Sequence, residues 1–180
     1  DDACGEAFDK VAKFYDLGYP GGVAIDRLAQ KGNPAAFRFP KPSLHKGDHT
    51  YDVSYSGLKT AAVNQLDMFW NRDHPKTPEN IAAAFQKAAI DRVGDRVMKA
   101  VKGTGLTTVV SGGGVSANSY LRARLSGEKG ITAVFPSLRL CTDNAAMVAG
   151  LGYHLLKRGG ASSFSLNAEA RVPLFRKTYP

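Results

Sequence analysis

The chain is poor in cysteine. Cys4 and Cys141 are the two it has in 180 residues, too few for a disulfide framework, which points to a reduced, cytoplasmic setting. Neither sits in a C-x-x-C pattern or a Cys/His pairing, which removes the usual structural zinc sites. No stretch approaches the roughly 18 consecutive apolar residues of a membrane span, and no signal peptide is visible, so no membrane partner is expected. H-E-x-x-H is missing, and no G-x-S-x-G elbow surrounds Ser56; the sequence offers neither the zinc-protease helix nor the hydrolase nucleophile. Internal repeats, low-complexity tracts and an aromatic ribonucleoprotein strand are also absent.

What is present is an ordinary globular balance, 43% hydrophobic and 22% charged residues, enough for one well-cored domain or a large lobe of a bilobal protein. The formal net charge of +8 favours a polyanionic partner. Basic residues gather at Arg38–Lys46, Arg92–Lys102, Arg122–Lys129 and Arg171–Lys177; the plainer alternative is a set of solvated helix faces.

Periodicity predicts a helix over Asp2–Phe14, with Phe8, Val11, Ala12 and Tyr15 on its apolar side. Tyr19-Pro20-Gly21-Gly22 breaks the chain, and a second helix runs from Val23 to about Lys31, ended by Gly32-Asn33-Pro34. Phe37–Pro42 reads as an edge strand or loop, Ser43–His49 as a polar loop, and Asp52–Tyr55 as a short strand entering a helix over Leu58–Trp70. A long amphipathic helix is expected from Glu79 to about Lys102, carrying Ile81, Phe85, Ala88, Ala89, Val93, Val97 and Val101. Strand Thr107–Val110, helix Ser116–Leu125, strand Thr132–Phe135 and helix Ala145–Lys157 follow, and Phe164–Pro180 reads as a tail. The pattern by itself supports a mixed α/β lobe.

The most informative segment is Val109-Val110-Ser111-Gly112-Gly113-Gly114-Val115-Ser116-Ala117-Asn118. A β-branched run, expected to be a buried strand, meets three glycines and then a helix that Ser116 or Asn118 could cap. Glycine lets a backbone approach a ligand, and the N–H groups of a helix start attract anions. Such a turn can cradle a phosphate, or it can simply cap and pack. In Cys141-Thr142-Asp143-Asn144, Asp143 or Asn144 could cap the next helix; beside a phosphate cradle, a carboxylate can also hold a divalent cation. Asp9, Gly22 and Asp26 are spaced to bring two carboxylates and an open backbone near a helix start, or else are surface charges. Lys59 could meet a phosphate or a carboxylate such as Glu79. His45 and His49 have H-x-x-x-H spacing, but in a loop bearing proline and glycine that spacing does not align two ligands.

Taken in order, Asp1–Lys13, Gly18-Tyr19-Pro20-Gly21-Gly22, Ser54-Tyr55-Ser56-Gly57-Leu58-Lys59-Thr60, the glycine turn and Cys141–Met147 resemble the universal tRNA threonylcarbamoyladenosine transferase family, formerly called O-sialoglycoprotein endopeptidases. The resemblance covers nearly the whole chain but only the back part of the family's protein. It implies the actin-like, sugar kinase and chaperone (ribonuclease-H-like) fold with inserted helices: a C-terminal lobe with a helical insertion over about residues 1–102 and an α/β core over about 103–160. Because the chain opens without Met inside a motif, an absent N-terminal lobe is expected.

The resemblance further implies transfer of a threonylcarbamoyl group from threonylcarbamoyl-adenylate to the exocyclic amine of the adenosine beside the tRNA anticodon. Asp9, Gly22, Asp26 and Asn118 match positions contacting the adenylate, and Gly112, Gly113 and Gly114 match the phosphate cradle. Asp143 matches a ligand of one divalent metal ion, iron or zinc or magnesium, whose other ligands are two histidines of the absent lobe. An adenylate or ATP-type nucleotide, tRNA, a paralogous partner subunit and a nucleotide-hydrolysing helper are implied as well. The fragment alone is expected to be inactive. The rival readings are a glycoprotein metalloprotease and a non-catalytic nucleotide-binding or assembly lobe.

Overall fold

The structure, a computed structural model, describes residues 2–41 and 51–168. It divides into two compact units, one ending at Asp143 and one beginning at Asn144. The predicted loop Ser43–His49, with His45 and His49, and the end of the predicted tail lie outside the described residues.

In the first unit, α1 (Cys4–Phe14), α2 (Gly21–Ala29), α3 (Ser56–Asn64), α4 (Pro78–Thr104) and α5 (Ser119–Ser126) surround the principal core. α4 starts where the chemistry of its ends dictates. The Thr77 hydroxyl caps it by accepting from the Asn80 N–H, Pro78 occupies the first turn, and Gly105 closes it at φ 73°. Its apolar stripe was legible, but the helix is buried more widely than one stripe between Asn80 and Gln86. Two clusters flank it. Phe85, Ala89 and Ile90 meet Phe8, Val11, Ile25 and Leu58, with Phe8 and Phe85 edge-to-face at 5.2 Å. Ile81 and Ala84 pack with Ala36, Phe37 and Leu66.

The predicted strand Asp52–Tyr55 is not formed. Among the described residues no strand lies alongside to complete a ladder, and side chains hold the segment instead. The Tyr55 ring is buried and its hydroxyl donates to the Ala89 carbonyl at 3.4 Å, while the Ser54 carbonyl accepts from Arg92 Nη1 at 2.7 Å. Arg92 Nη2 also donates to the Pro40 carbonyl at 2.8 Å, so one guanidinium ties both segments to α4. Phe37 makes an isolated antiparallel bridge with Trp70, in keeping with an edge position. The helix expected to reach Trp70 stops at Asn64 and gives way to a 3₁₀ turn over Leu66–Met68.

β1 (Thr108–Val110) and β2 (Thr132–Val134) form a parallel pair in the register Thr108–Thr132, Val109–Ala133, Val110–Val134, with α5 between them in sequence. The unit is therefore mixed α/β, as the pattern indicates. The expectation that β1 is buried fails: Val110 is 76% exposed. Among the described residues the sheet has only two strands, which leaves most of its surface uncovered. The second unit consists of α6 (Ala145–Gly159) and the residues that follow. Asn144 caps α6 by accepting from the Met147 N–H at 3.1 Å, so Asn144 rather than Asp143 is the cap. No helix among the described residues is long and apolar enough to cross a membrane.

Candidate functional site

The start of α2 is pressed against α1. The Gly21 N–H donates to Asp9 Oδ1 at 2.8 Å, and a Cβ at Gly21 would stand 2.6 Å from the Asp9 Cα and 2.7 Å from the Phe8 carbonyl oxygen. Only glycine fits such an approach. Gly22, the neighbour singled out from sequence, has open space where its Cβ would be. The two glycines thus divide the work: Gly21 makes the contact and Gly22 leaves the surface bare. Asp9 is engaged with a backbone amide rather than simply solvated.

One turn along α2, Asp26 reaches the start of α5. Its carboxylate accepts from the Ser119 hydroxyl at 2.7 Å and from the Ser119 N–H at 3.2 Å, with the Asn118 amide at 3.4 Å. Asp26 is therefore no free surface charge. Asn118 caps α5 through its Oδ1, which accepts from the Leu121 N–H at 3.0 Å, and its Nδ2 donates to Gln86 Oε1 at 2.9 Å. Gln86 is 4% exposed and comes from α4, where it sits among apolar residues. Nothing in the local sequence marks it as a partner for a residue 32 positions away.

The glycine turn leads from β1 into a 3₁₀ turn over Gly114–Ala117 and then α5. Gly113 has φ 83°, the region side chains avoid, and no atom lies within 4 Å of a Cβ built at Gly112, Gly113 or Gly114. The turn is a Cβ-free, open backbone surface. It is anchored from behind by the buried Ser116, whose hydroxyl donates to the Gly113 carbonyl at 2.6 Å. α2 joins these pieces, with Asp9 at its start and Asp26 bonded to the residues that follow the turn.

Asp143 is exposed and ends the first unit. Among the described residues no group of three His, Cys, Asp or Glu could hold a metal ion. One carboxylate suits a hard cation but does not make a site, so the described residues do not by themselves supply a full donor set for a resident metal.

Other expected contacts resolve differently. Lys59 pairs with a carboxylate, that of Asp2 rather than Glu79, at 2.6 Å, and this pairing holds the Asp2 carboxyl below its ordinary value. The basic clusters on α4 and α5 are partly neutralised: Arg124 pairs with Asp91, Asp95 and Glu128, and Lys87 with Asp91.

A family model described as tRNA N6-adenosine threonylcarbamoyltransferase matches residues 1–150. Proteins bearing that name resemble the chain closely. The one from Treponema denticola is 62% identical over 98% of this chain and 52% of its own length. The one from Treponema pallidum (strain Nichols) is 52% identical over 98% of this chain and 50% of its own. The one from Borreliella burgdorferi (strain B31) is 45% identical over 99% and 51%. The chain spans about half the length of these relatives. Motif, turn and relatives agree: the chain belongs to the tRNA N6-adenosine threonylcarbamoyltransferase family.

Proposed function

We propose that this chain supplies the adenylate-holding part of a tRNA N6-adenosine threonylcarbamoyltransferase, acting in the cytoplasm as one lobe of an actin-like fold. The observation that carries the reading is the convergence, around α2, of the Asp9–Gly21 contact, the bare Gly22 surface and the Asp26–Ser119 tie to the residues after an open glycine turn. In the reaction the exocyclic amine of a tRNA adenosine forms a bond to the carbamoyl carbon of threonylcarbamoyl-adenylate. The bond from that carbon to the phosphate oxygen breaks, the adenylate departs with the bonding pair, and the amine nitrogen gives up one proton to solvent.

The chain's contribution is to hold the nucleotide still. Asp9, Gly22, Asp26 and Asn118 define where its nucleoside lies. The backbone of Gly112, Gly113 and Gly114 faces its phosphate, stabilising the charge that grows as the leaving group departs. Fixing the adenylate in this way converts attack by the amine into a step between positioned groups. Asp143 would supply one carboxylate oxygen ligand to a divalent cation, which would help neutralise the departing phosphate. The net positive charge favours the tRNA backbone. A paralogous subunit and a nucleotide-hydrolysing helper complete the working assembly.

The test is to deplete the gene in its host and measure threonylcarbamoyladenosine in bulk tRNA by nucleoside mass spectrometry. Loss of the modification, restored by the full gene product but not by its Asp143→Ala form, is expected. An unchanged level in a host with no second gene of this type would overturn the proposal. Because Asp143 is exposed, the substitution is expected to move stability by no more than about 0.5 kcal/mol.

A further inference from the structure

Two segments assigned to the transfer site have little packing of their own. At Gly112, Gly113 and Gly114 there is no side chain to pack; the Ser111 N–H before them bonds to the Val134 carbonyl at 2.9 Å, and the anchor after them is the buried Ser116. Asp143 is exposed, and two residues before it stands the buried Cys141, 2% exposed. A single side chain holds both anchors. Arg122, on α5, donates from Nε to the Ser116 carbonyl at 2.7 Å. From Nη2 it donates to the Pro136 carbonyl at 2.7 Å and to Cys141 Sγ at 3.2 Å. Its guanidinium carbon lies 4.9 Å from the centre of the Phe135 ring. The Cys141 thiol in turn lies 3.6 Å from the Ser137 carbonyl.

We infer that Arg122 is a positioning residue, a brace that sets the glycine turn against the Asp143 segment. The planar fork of a guanidinium presents several N–H groups at fixed angles, so it can serve three backbone segments at once. A lysine ammonium is a point donor and cannot span them. Among the described residues no carboxylate pairs with Arg122; it meets carbonyl oxygens, a sulfur and a ring face. Its hydrogen-bonding capacity is therefore spent on geometry rather than on an ion pair. The role in transfer rests on the transferase reading; the brace itself does not.

The test uses Arg122→Lys and Arg122→Met in the full gene product, with two readouts. Steady-state transfer is expected to lose about tenfold or more in kcat in both variants, as when the partners that orient a site are removed. KM for tRNA should stay within about twofold. In parallel, maleimide labelling of the folded protein, located by peptide mass spectrometry, should show Cys141 protected in wild type and released in both variants, with Cys4 labelled as in wild type. Wild-type kcat in Arg122→Lys would overturn the inference, as would a loss of kcat with Cys141 still protected. Release of Cys4 together with Cys141 would overturn it too, since Arg122 would then serve the whole fold. A wild-type protein without transfer activity would sink the transferase reading, while the labelling would still decide whether Arg122 braces the two segments.

Discussion

Adjacent glycines at the start of α2 should answer in opposite ways to the same substitution. Alanine at position 21 would place its Cβ 2.6 Å from the Asp9 Cα and 2.7 Å from the Phe8 carbonyl. Both are backbone atoms of α1 and cannot rotate aside. Overpacking of this kind costs about 1–3 kcal/mol. The separation it forces also stretches the 2.8 Å bond from the Gly21 N–H to the Asp9 carboxylate, worth about 1.5–3 kcal/mol for a charged acceptor. The two losses share one displacement and do not add fully, so the expected destabilisation is about 3 kcal/mol. Gly22→Ala meets no atom and should be neutral or stabilising by at most about 0.5–1 kcal/mol, because it removes backbone freedom from the unfolded chain. Urea unfolding of the full gene product followed by circular dichroism measures the first quantity. Native-state exchange of the Ala24 N–H, which bonds to the Pro20 carbonyl at 3.1 Å, reports on the helix start itself. If Gly21→Ala and Gly22→Ala gave the same midpoint and the same Ala24 exchange, the packing argument would be wrong. Transfer activity separates them again: Gly22→Ala should fold well yet transfer poorly, because its methyl intrudes on the bare surface assigned to the nucleotide.

Asp26→Ala removes the acceptor for Ser119 and Asn118. It should cost about 1–2 kcal/mol and speed exchange at the start of α5, while Asp26→Asn should recover part of the loss; amide exchange in both variants checks this. Burial raises the Cys4 thiol above its usual value against an opposing hydrogen bond with Tyr55, and burial, helped by Cys4, raises the Tyr55 phenol far above its own. A raised folded-state pKa means stability that is complete below the unfolded value and lost as pH rises towards the folded one. The protein should therefore lose stability above about pH 9, the unfolded thiol's value, and Cys4→Ala should flatten that decline in melting temperature against pH. Alkaline melting curves of the wild type and Cys4→Ala that ran parallel would contradict it.

The elements that were legible in the sequence are those whose evidence is local. α4 announced itself by apolar residues at helical spacing between Pro78 and Gly105, and β1 and β2 by β-branched runs on either side of α5. The segment 52–55 alternates as a strand does, but alternation in four residues cannot say whether a neighbouring strand exists. Among the described residues none does, and Tyr55 and Arg92 hold the segment by side chains. At the candidate site, Asp9, Gly22, Asp26, Asn118 and the three glycines stood out because they lie in recognisable runs. Gln86 and Arg122 did not, and Gly21 stood out only as part of the glycine pair. Their importance comes from approaches between segments far apart in the chain: Gly21 to Asp9, Gln86 to Asn118, Arg122 to Cys141. A glycine pair does suggest a close approach, yet only the packing tells which of the two makes it.

The two-stranded sheet has a further consequence for anyone handling this polypeptide in solution. Neither β1 nor β2 has a second neighbour among the described residues, and Val110 of β1 and Val134 of β2 are exposed. Among the described residues this short parallel ribbon leaves both edges open and its terminal valines exposed, a template on which an extended segment can add, including another copy of itself. At high concentration the chain is therefore expected to self-associate through these edges. Salt that screens charge should strengthen the association, because the positive charge is what keeps copies apart.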